Sequence, residues 1–181
     1  PLMNFEVVKE IVAYGRSLEK SHDKVFKFTI TTNGLGITDE IIDYCNREMH
    51  NVVISVDGRK EVHDALRKTA AGTGSFDYIL PKARKMGLSR QELGKDYYIR
   101  GTFTRANLDF CKDVEFLADQ GFEQISIEPV VLPDGDPASL REEDLPAIFQ
   151  EYEKLGKMLY ERRRDGRWFN FFHFMVDLGN G

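Results

Sequence analysis

Sulfur and imidazole are scarce in this chain of 181 residues, which carries two cysteines and four histidines. Cys45 and Cys111 are too few and too far apart for a disulfide framework or a thiolate zinc site. Each falls on the apolar face of an expected helix, Cys45 with Ile41, Ile42 and Met49, and Cys111 with Leu108 and Val114. Both read as buried free thiols, and the expected compartment is the reducing cytoplasm. His22, His50, His63 and His173 show no metal-ligand spacing. No apolar run approaches the roughly 20 residues of a membrane span. Residues 1–20 are amphipathic and charged throughout and do not read as a signal peptide. Excess positive charge is missing too: a net charge of −5 and a pI near 5.5 give no nucleic-acid footprint. The densest basic run, Arg162-Arg163-Arg164, lies in a Glu-rich helix and reads as its solvated end. No Ser or Cys nucleophile has a neighbouring His base, and there is no Gly-x-Ser-x-Gly elbow. Gly72–Ser75 lacks the lysine of a phosphate loop.

What is present is alternation. Phe5, Val8, Ile11, Val12 and Leu18 recur at helical spacing, so the chain opens on an amphipathic helix from Asn4. A β-branched, aromatic strand follows from about Val25 to Thr31, and Thr38 caps the next helix. "NVVISVDG" is a second strand, with helices expected over Lys60–Thr69 and Phe76–Met86. A third strand spans Tyr97–Phe103, and Asn107 is expected to cap a helix running through Gln120. A fourth strand covers Gln124–Val130. A long helix over Asp144–Arg164 carries Leu145, Ile148, Phe149, Tyr152, Leu155 and Leu159 on one side. The chain ends on a strand-like apolar run over residues 167–181. Strand and helix alternate every 25 to 45 residues, which predicts an α/β fold with a parallel sheet and no separate second domain.

Ligands of parallel α/β proteins gather beyond the C-terminal ends of the strands. At those ends this chain offers Thr31, Thr32 and Asn33, then Ser55 and Asp57, then Arg100, Thr102 and Thr104, then Glu128. Any one of these is ordinary turn chemistry, as at Asn33-Gly34 and Asp57-Gly58. Four in succession suggest a shared site for a small zwitterionic or hydroxylated ligand. There Asp57 would accept from ribose hydroxyls, Ser55 and an arginine would clamp a carboxylate, and Glu128 would take an ammonium or adenine-edge donor.

"SVDGRKEVHDALRKTAAGTGSFD", Ser55 to Asp77, resembles the Ser-x-Asp-Gly, His-Asp, Arg and Gly-x-Gly-Ser-Phe segment of the radical S-adenosylmethionine enzymes. The branch it resembles carries a SPASM or twitch extension and modifies peptides. "TTNG" at Thr31, "IRGTFT" at Ile99 and "EPVV" at Glu128 fall where that family's third, fifth and sixth strands end, and Pro1 stands at the tail of its Gly-Gly-Glu-Pro motif. "YIRGTFTRANLDF" and "PVVLPDGDPASLREEDLP" look most like the maturases of six-cysteine (SCIFF) peptides, which form thioether crosslinks.

The resemblance implies a partial, TIM-barrel-like (β/α) barrel in which an iron–sulfur (4Fe–4S) cluster reduces S-adenosylmethionine to a 5′-deoxyadenosyl radical that attacks a cysteine-rich precursor peptide. By the same resemblance Ser55 and Arg67 hold the methionyl carboxylate, Asp57 and Asn33 lie by the ribose or adenosine, and Pro1 lies by the amino group. Arg100 and Glu128 are further cofactor-binding positions on the rim, without an assigned duty. For Arg67 an ordinary helix ion pair is the competing reading, and for His63-Asp64 a helix-packing hydrogen bond.

The family's Cys-x-x-x-Cys-x-x-Cys cluster motif is absent. The expectation is therefore that residues 1–181 are the central and C-terminal part of such a core, βα units three to six. Its first strands would be missing, and it would be inactive alone, holding neither cofactor nor cluster. Two other readings stay open: a section of an anaerobic sulfatase-maturating enzyme, or a non-catalytic domain that binds a peptide or dimerises through strand edges near residues 25–31 and 168–176.

Overall fold

Each strand has an apolar face and a helix to cover it, and the computed structural model, which describes residues 1–133 and 135–175, arranges these pairs in two compact units. One comprises Pro1–Ser55 and Tyr78–Tyr98, the other Val56–Asp77 and the chain from Ile99 onward.

In the first unit a 3-10 turn at Leu2–Asn4 leads into α1 (Phe5–His22), then β1 (Phe28–Thr32), α2 (Asp39–Glu48) and β2 (Met49–Ser55). β1 starts later than expected, and Val25 and Phe26 precede it as exposed residues. The two strands run parallel, with Ile30 beside Val52 and Thr32 beside Ile54. At Gly15 of α1 a Cβ would stand 2.6 Å from the Phe28 ring, so only glycine allows this approach of helix to strand. Thr38 caps α2 as expected, its Oγ1 accepting from Ile41 N at 3.4 Å.

α4 (Phe76–Glu92) outruns its expected end and supplies Arg90, a residue the sequence does not flag. Arg90 is fully buried and donates to the carbonyl oxygens of Asp96 (2.7 Å), Cys45 (3.0 Å), Met49 (3.1 Å) and His50 (2.9 Å). The carbonyls of Cys45, Met49 and His50 lie at the end of α2 and the start of β2, where helix passes into strand without a loop, and that of Asp96 lies at the start of β3 (Asp96–Phe103). A guanidinium fork satisfies several such groups at once.

The second unit holds α3 (Lys60–Leu66), the later part of β3 (Asp96–Phe103), α5 (Cys111–Asp119), β4 (Gln124–Pro129), α6 (Leu145–Arg164) and β5 (Asn170–Phe171). β3 and β4 pair in parallel from Ile99–Ile125 to Phe103–Pro129, and β4 pairs with β5. Strand order follows chain order, β1-β2-β3-β4-β5, in a five-stranded sheet that does not close among the described residues. The fold is α/β with a parallel sheet, as the alternation predicts. Phe103 stacks on Phe110 at 4.3 Å, and Phe110 meets Tyr152 edge-on at 5.0 Å.

Three local expectations are corrected. Asn107 does not cap a helix: its Oδ1 accepts from Thr104 N at 2.8 Å, closing a 3-10 turn at Arg105–Asn107, and α5 begins only at Cys111. α6 buries Ile148, Leu155 and Leu159 but leaves Leu145 and Phe149 exposed, because its inward stripe turns toward Glu151 and Arg162. The basic run is not all solvated: Arg162 is buried, donates to Asp119 at 2.6 Å and lies over the Phe169 ring. Of the final apolar run, Asn170–Phe171 form β5 and Phe172–Phe174 a 3-10 turn, while residues 176–181 lie outside the described residues.

Replacing Arg90 by Ala leaves four carbonyls without their donor and should lower unfolding free energy by about 3 kcal/mol. Arg90→Lys, which keeps the charge but not the fork, should lose about half as much. Urea unfolding of both variants checks this, and an alanine loss below about 1 kcal/mol would remove the clamp.

Candidate functional site

Alternation along the paired strands of the second unit separates two chemistries. Ile99, Gly101 and Phe103 on β3 and Ile125 and Ile127 on β4 are buried. Arg100 and Thr102, in register with Ser126 and Glu128, line the opposite face. Beside that polar face lies the loop after β2, where Val56 N donates to Arg100 O at 3.0 Å.

Asp57 is the centre of this arrangement. Its side chain is fully buried. Arg67 grips it with two donors, Nε to Oδ2 at 2.5 Å and Nη2 to Oδ1 at 3.0 Å. Thr102 adds its N–H at 3.0 Å and its hydroxyl at 3.3 Å, both to Oδ1. Two glycines make room. At Gly101 a Cβ would stand 2.7 Å from Asp57 Cα, and at Gly58, with φ +131°, it would stand 2.3 Å from Asp113 Cβ. The second contact is as exacting as the first: buried Asp113 accepts from Arg59 N at 3.0 Å and from Arg59 Nε at 2.8 Å. Arg59 also donates to Asp109 at 2.8 Å. Burial opposes ionisation of Asp109, but Arg59 and Lys112 still hold its carboxyl below the usual range.

His63 is buried on α3. Its Nδ1 accepts from Asp57 N at 3.3 Å, and its Nε2 lies 3.0 Å from Ser75 Oγ. Because the Ser75 hydroxyl donates onward to Arg67 O at 2.8 Å, the imidazole proton sits on Nε2 and the ring is neutral. Burial lowers its pKa from the ordinary value, against the pull of Asp57. On the polar face, Arg100 donates to Glu128, which also accepts from Ser126 Oγ at 3.1 Å. Burial alone would raise Glu128, and Arg100 more than reverses it, so the carboxyl ionises below its usual range.

Of the expected site residues, Asp57, Arg67, Arg100 and Glu128 fall in the second unit, as two ion pairs joined through neighbouring positions of β3. The oxygens of Asp57 that a ribose would need are engaged by Arg67 and Thr102. Arg67 itself is a third exposed, and among the described residues its Nη1 edge stays open beside the Asp57 contact. Pro1, Asn33 and Ser55 belong to the first unit. Pro1 borders an apolar groove with Val8, Ile11 and Phe28, Asn33 Oδ1 accepts from Leu35 N at 3.3 Å in a local turn, and Ser55 ends β2 half-buried. The Arg59–Asp113–Asp109 cluster was not legible, since its members lie some 50 residues apart in sequence.

No family model matches the sequence. The chain is homologous to a cysteine-type anaerobic sulfatase-maturating enzyme from Clostridium novyi (strain NT), 25% identical over 185 aligned positions. The alignment takes in 99% of this chain and 48% of the relative, so the chain spans about half the length of the curated relative it matches. Among solved structures, native anSMEcpe with bound AdoMet shares the fold at a TM-score of 0.78 and 18% identity, over 94% of this chain and 46% of that one. Streptococcus suis SuiB bound to precursor peptide SuiA superposes at 0.57 and 19% identity, over 81% of this chain and 31% of that one. What this chain shares with both is the fold, the α/β arrangement with an open parallel sheet.

The neutral, buried His63 should make stability fall with acidity. Its folded pKa is depressed, so its contribution is complete above the unfolded value near 6.5 and is lost as pH drops below it, by at most about 1.4 kcal/mol per pH unit. His63→Gln, which keeps an acceptor and a donor, should flatten the decline between pH 7 and pH 5 in denaturant titrations. Equal slopes for the two proteins would place the ring elsewhere.

Proposed function

We propose that this chain is a section of a radical S-adenosylmethionine peptide maturase of the sulfatase-maturating kind, in which Arg67 receives the carboxylate of S-adenosylmethionine. The relative matched over 99% of the chain supports the class. A single observation carries the site: Asp57 takes one edge of the Arg67 guanidinium and, among the described residues, the Nη1 edge is left open, so a second carboxylate has a pre-oriented partner. Asp57 is then a positioning residue rather than a ribose contact. The Arg100–Glu128 pair, with Arg100 half-exposed, provides further polar contacts on the same face of the unit. SuiB's bound precursor peptide supports a ribosomal peptide as the partner.

The residues present fit S-adenosylmethionine's amino-acid end, but they do not fit an iron–sulfur cluster. Such clusters are held by thiolates. Cys45 and Cys111 are the only thiols in the sequence, and burial pushes each up to about 11, so both stay protonated at neutral pH. Under this reading the cluster ligands come from elsewhere in a longer protein. The bound cofactor supplies the oxidising radical. This chain's residues bind and orient it.

The test uses the full-length protein, reconstituted anaerobically with iron and sulfide and given S-adenosylmethionine, dithionite and a cysteine-bearing sulfatase peptide. Release of 5′-deoxyadenosine is expected, and its absence overturns the enzyme reading. Arg67→Ala should lower kcat/KM for S-adenosylmethionine about 10- to 100-fold, the worth of a charge-assisted contact, chiefly through KM. Mass spectrometry of the peptide separates the two chemistries: a modified cysteine without a crosslink supports the sulfatase-maturating reading, and a thioether crosslink replaces it with the thioether-forming one.

A further inference from the structure

Hydrogen bonds around Arg67 close into a ring. The His63 imidazole accepts from Asp57 N at 3.3 Å and donates to Ser75 Oγ at 3.0 Å. Ser75 donates to Arg67 O at 2.8 Å, and the Arg67 side chain returns to Asp57. Arg67 N is fixed as well, donating to His63 O at 2.8 Å. Arg67 is thereby held at its N–H, its carbonyl and its guanidinium.

The intervening segment is shaped to bring Ser75 back. Lys68 and Gly74 bridge antiparallel, Thr69 N donates to Thr73 O at 2.8 Å, and Gly72 turns the chain at φ +79°. Asp64 then anchors the far side by accepting from Phe76 N at 2.8 Å. It does so through a gap that only Gly74 leaves, since a Cβ there would stand 2.1 Å from Asp64 Cγ. His63 and Ser75 touch no solvent-facing surface, being 0% and 1% exposed, so neither is placed to touch a ligand.

We infer that His63 and Ser75 are positioning residues that set the direction of the Arg67 guanidinium, and hence the discrimination for a ligand bearing a carboxylate. This rests on the reading that Arg67 binds the carboxylate of S-adenosylmethionine. A ring of bonds determines direction in a way that one ion pair does not: Asp57 fixes the guanidinium only if Asp57 and the Arg67 backbone are themselves fixed relative to each other. The His63 ring does that by bonding directly to one and, through Ser75, to the other.

The experiment measures binding of S-adenosylmethionine and of decarboxylated S-adenosylmethionine to the full-length protein by calorimetry. Arg67→Ala tests the underlying reading and should erase the preference for the carboxylated ligand. If it weakens both ligands equally, or neither, that reading fails. Ser75→Ala tests the inference and should cut the preference about tenfold, one charge-assisted bond's worth, with the affinity for the decarboxylated ligand unchanged. Should that variant not fold, Ser75→Cys, a weak donor in nearly the same volume, is measured instead with the same expectation. His63→Gln, which keeps both hydrogen-bonding roles, should retain most of the preference. A serine variant that keeps the full preference while Arg67→Ala loses it overturns the positioning role alone.

Discussion

A carboxylate with no exposure to water sits at the heart of the second unit, and its neighbours are explained by what it needs. Removing such a charge from water costs several kcal/mol unless donors replace the hydration. Asp57 receives those donors from Arg67 and Thr102. Meeting them requires the loop after β2 to pass close to β3, which is why Gly101 has no side chain, and to turn at positive φ against Asp113, which is why Gly58 has none. Asp57 thus forms a buried joint rather than a simple strand stop. Arg67, a third exposed, carries this joint to the surface.

Much of the fold was legible because burial imposes a period on sequence. The β-branched and aromatic run over Tyr97–Phe103 marked the third strand, and in the structure burial alternates along it, with Ile99, Gly101 and Phe103 buried and Arg100 and Thr102 on the other face. Periodicity fails where a polar residue takes a core position. The buried stripe of α6 includes Glu151, which accepts from Cys111 N, and Arg162, which reaches Asp119, so a purely apolar reading shifts the stripe toward Leu145 and Phe149. Arg90 was invisible for a related reason: its partners are backbone carbonyls, which have no signature in sequence. The site was half legible. Arg67 and Asp57 were named as neighbours of one ligand, but nothing in their spacing indicated that they would bind each other.

The similarity to anSMEcpe shows how little sequence the architecture requires. At 18% identity the fold superposes with a TM-score of 0.78. Apolar faces tolerate exchange among residues of similar volume, provided the pattern is kept. Gly15 is required by apolar packing against the Phe28 ring, but three further glycines are of another kind. Gly58, Gly74 and Gly101 each face an acid or its backbone at distances where a Cβ would collide. They are set by the polar joint and not by the core, and the quoted segment from Ser55 to Asp77 that carries the resemblance contains two of the three.

Charge balance narrows what the polar face is suited to hold. Arg67 is offset by Asp57 and Arg100 by Glu128, so the two cations bring no net positive field. A polyanion such as a triphosphate gains from uncompensated positive charge, which these two pairs do not supply. A zwitterion gains from oriented partners of both signs: a guanidinium edge for its carboxylate and a carboxylate for its ammonium. The depressed pKa of Glu128 keeps that second partner ionised across the neutral range. Selectivity in such a site comes from the direction in which each pair points more than from its charge. On the proposal that Arg67 takes a carboxylate, the buried ring of hydrogen bonds behind it would therefore act on recognition more than an additional surface cation would.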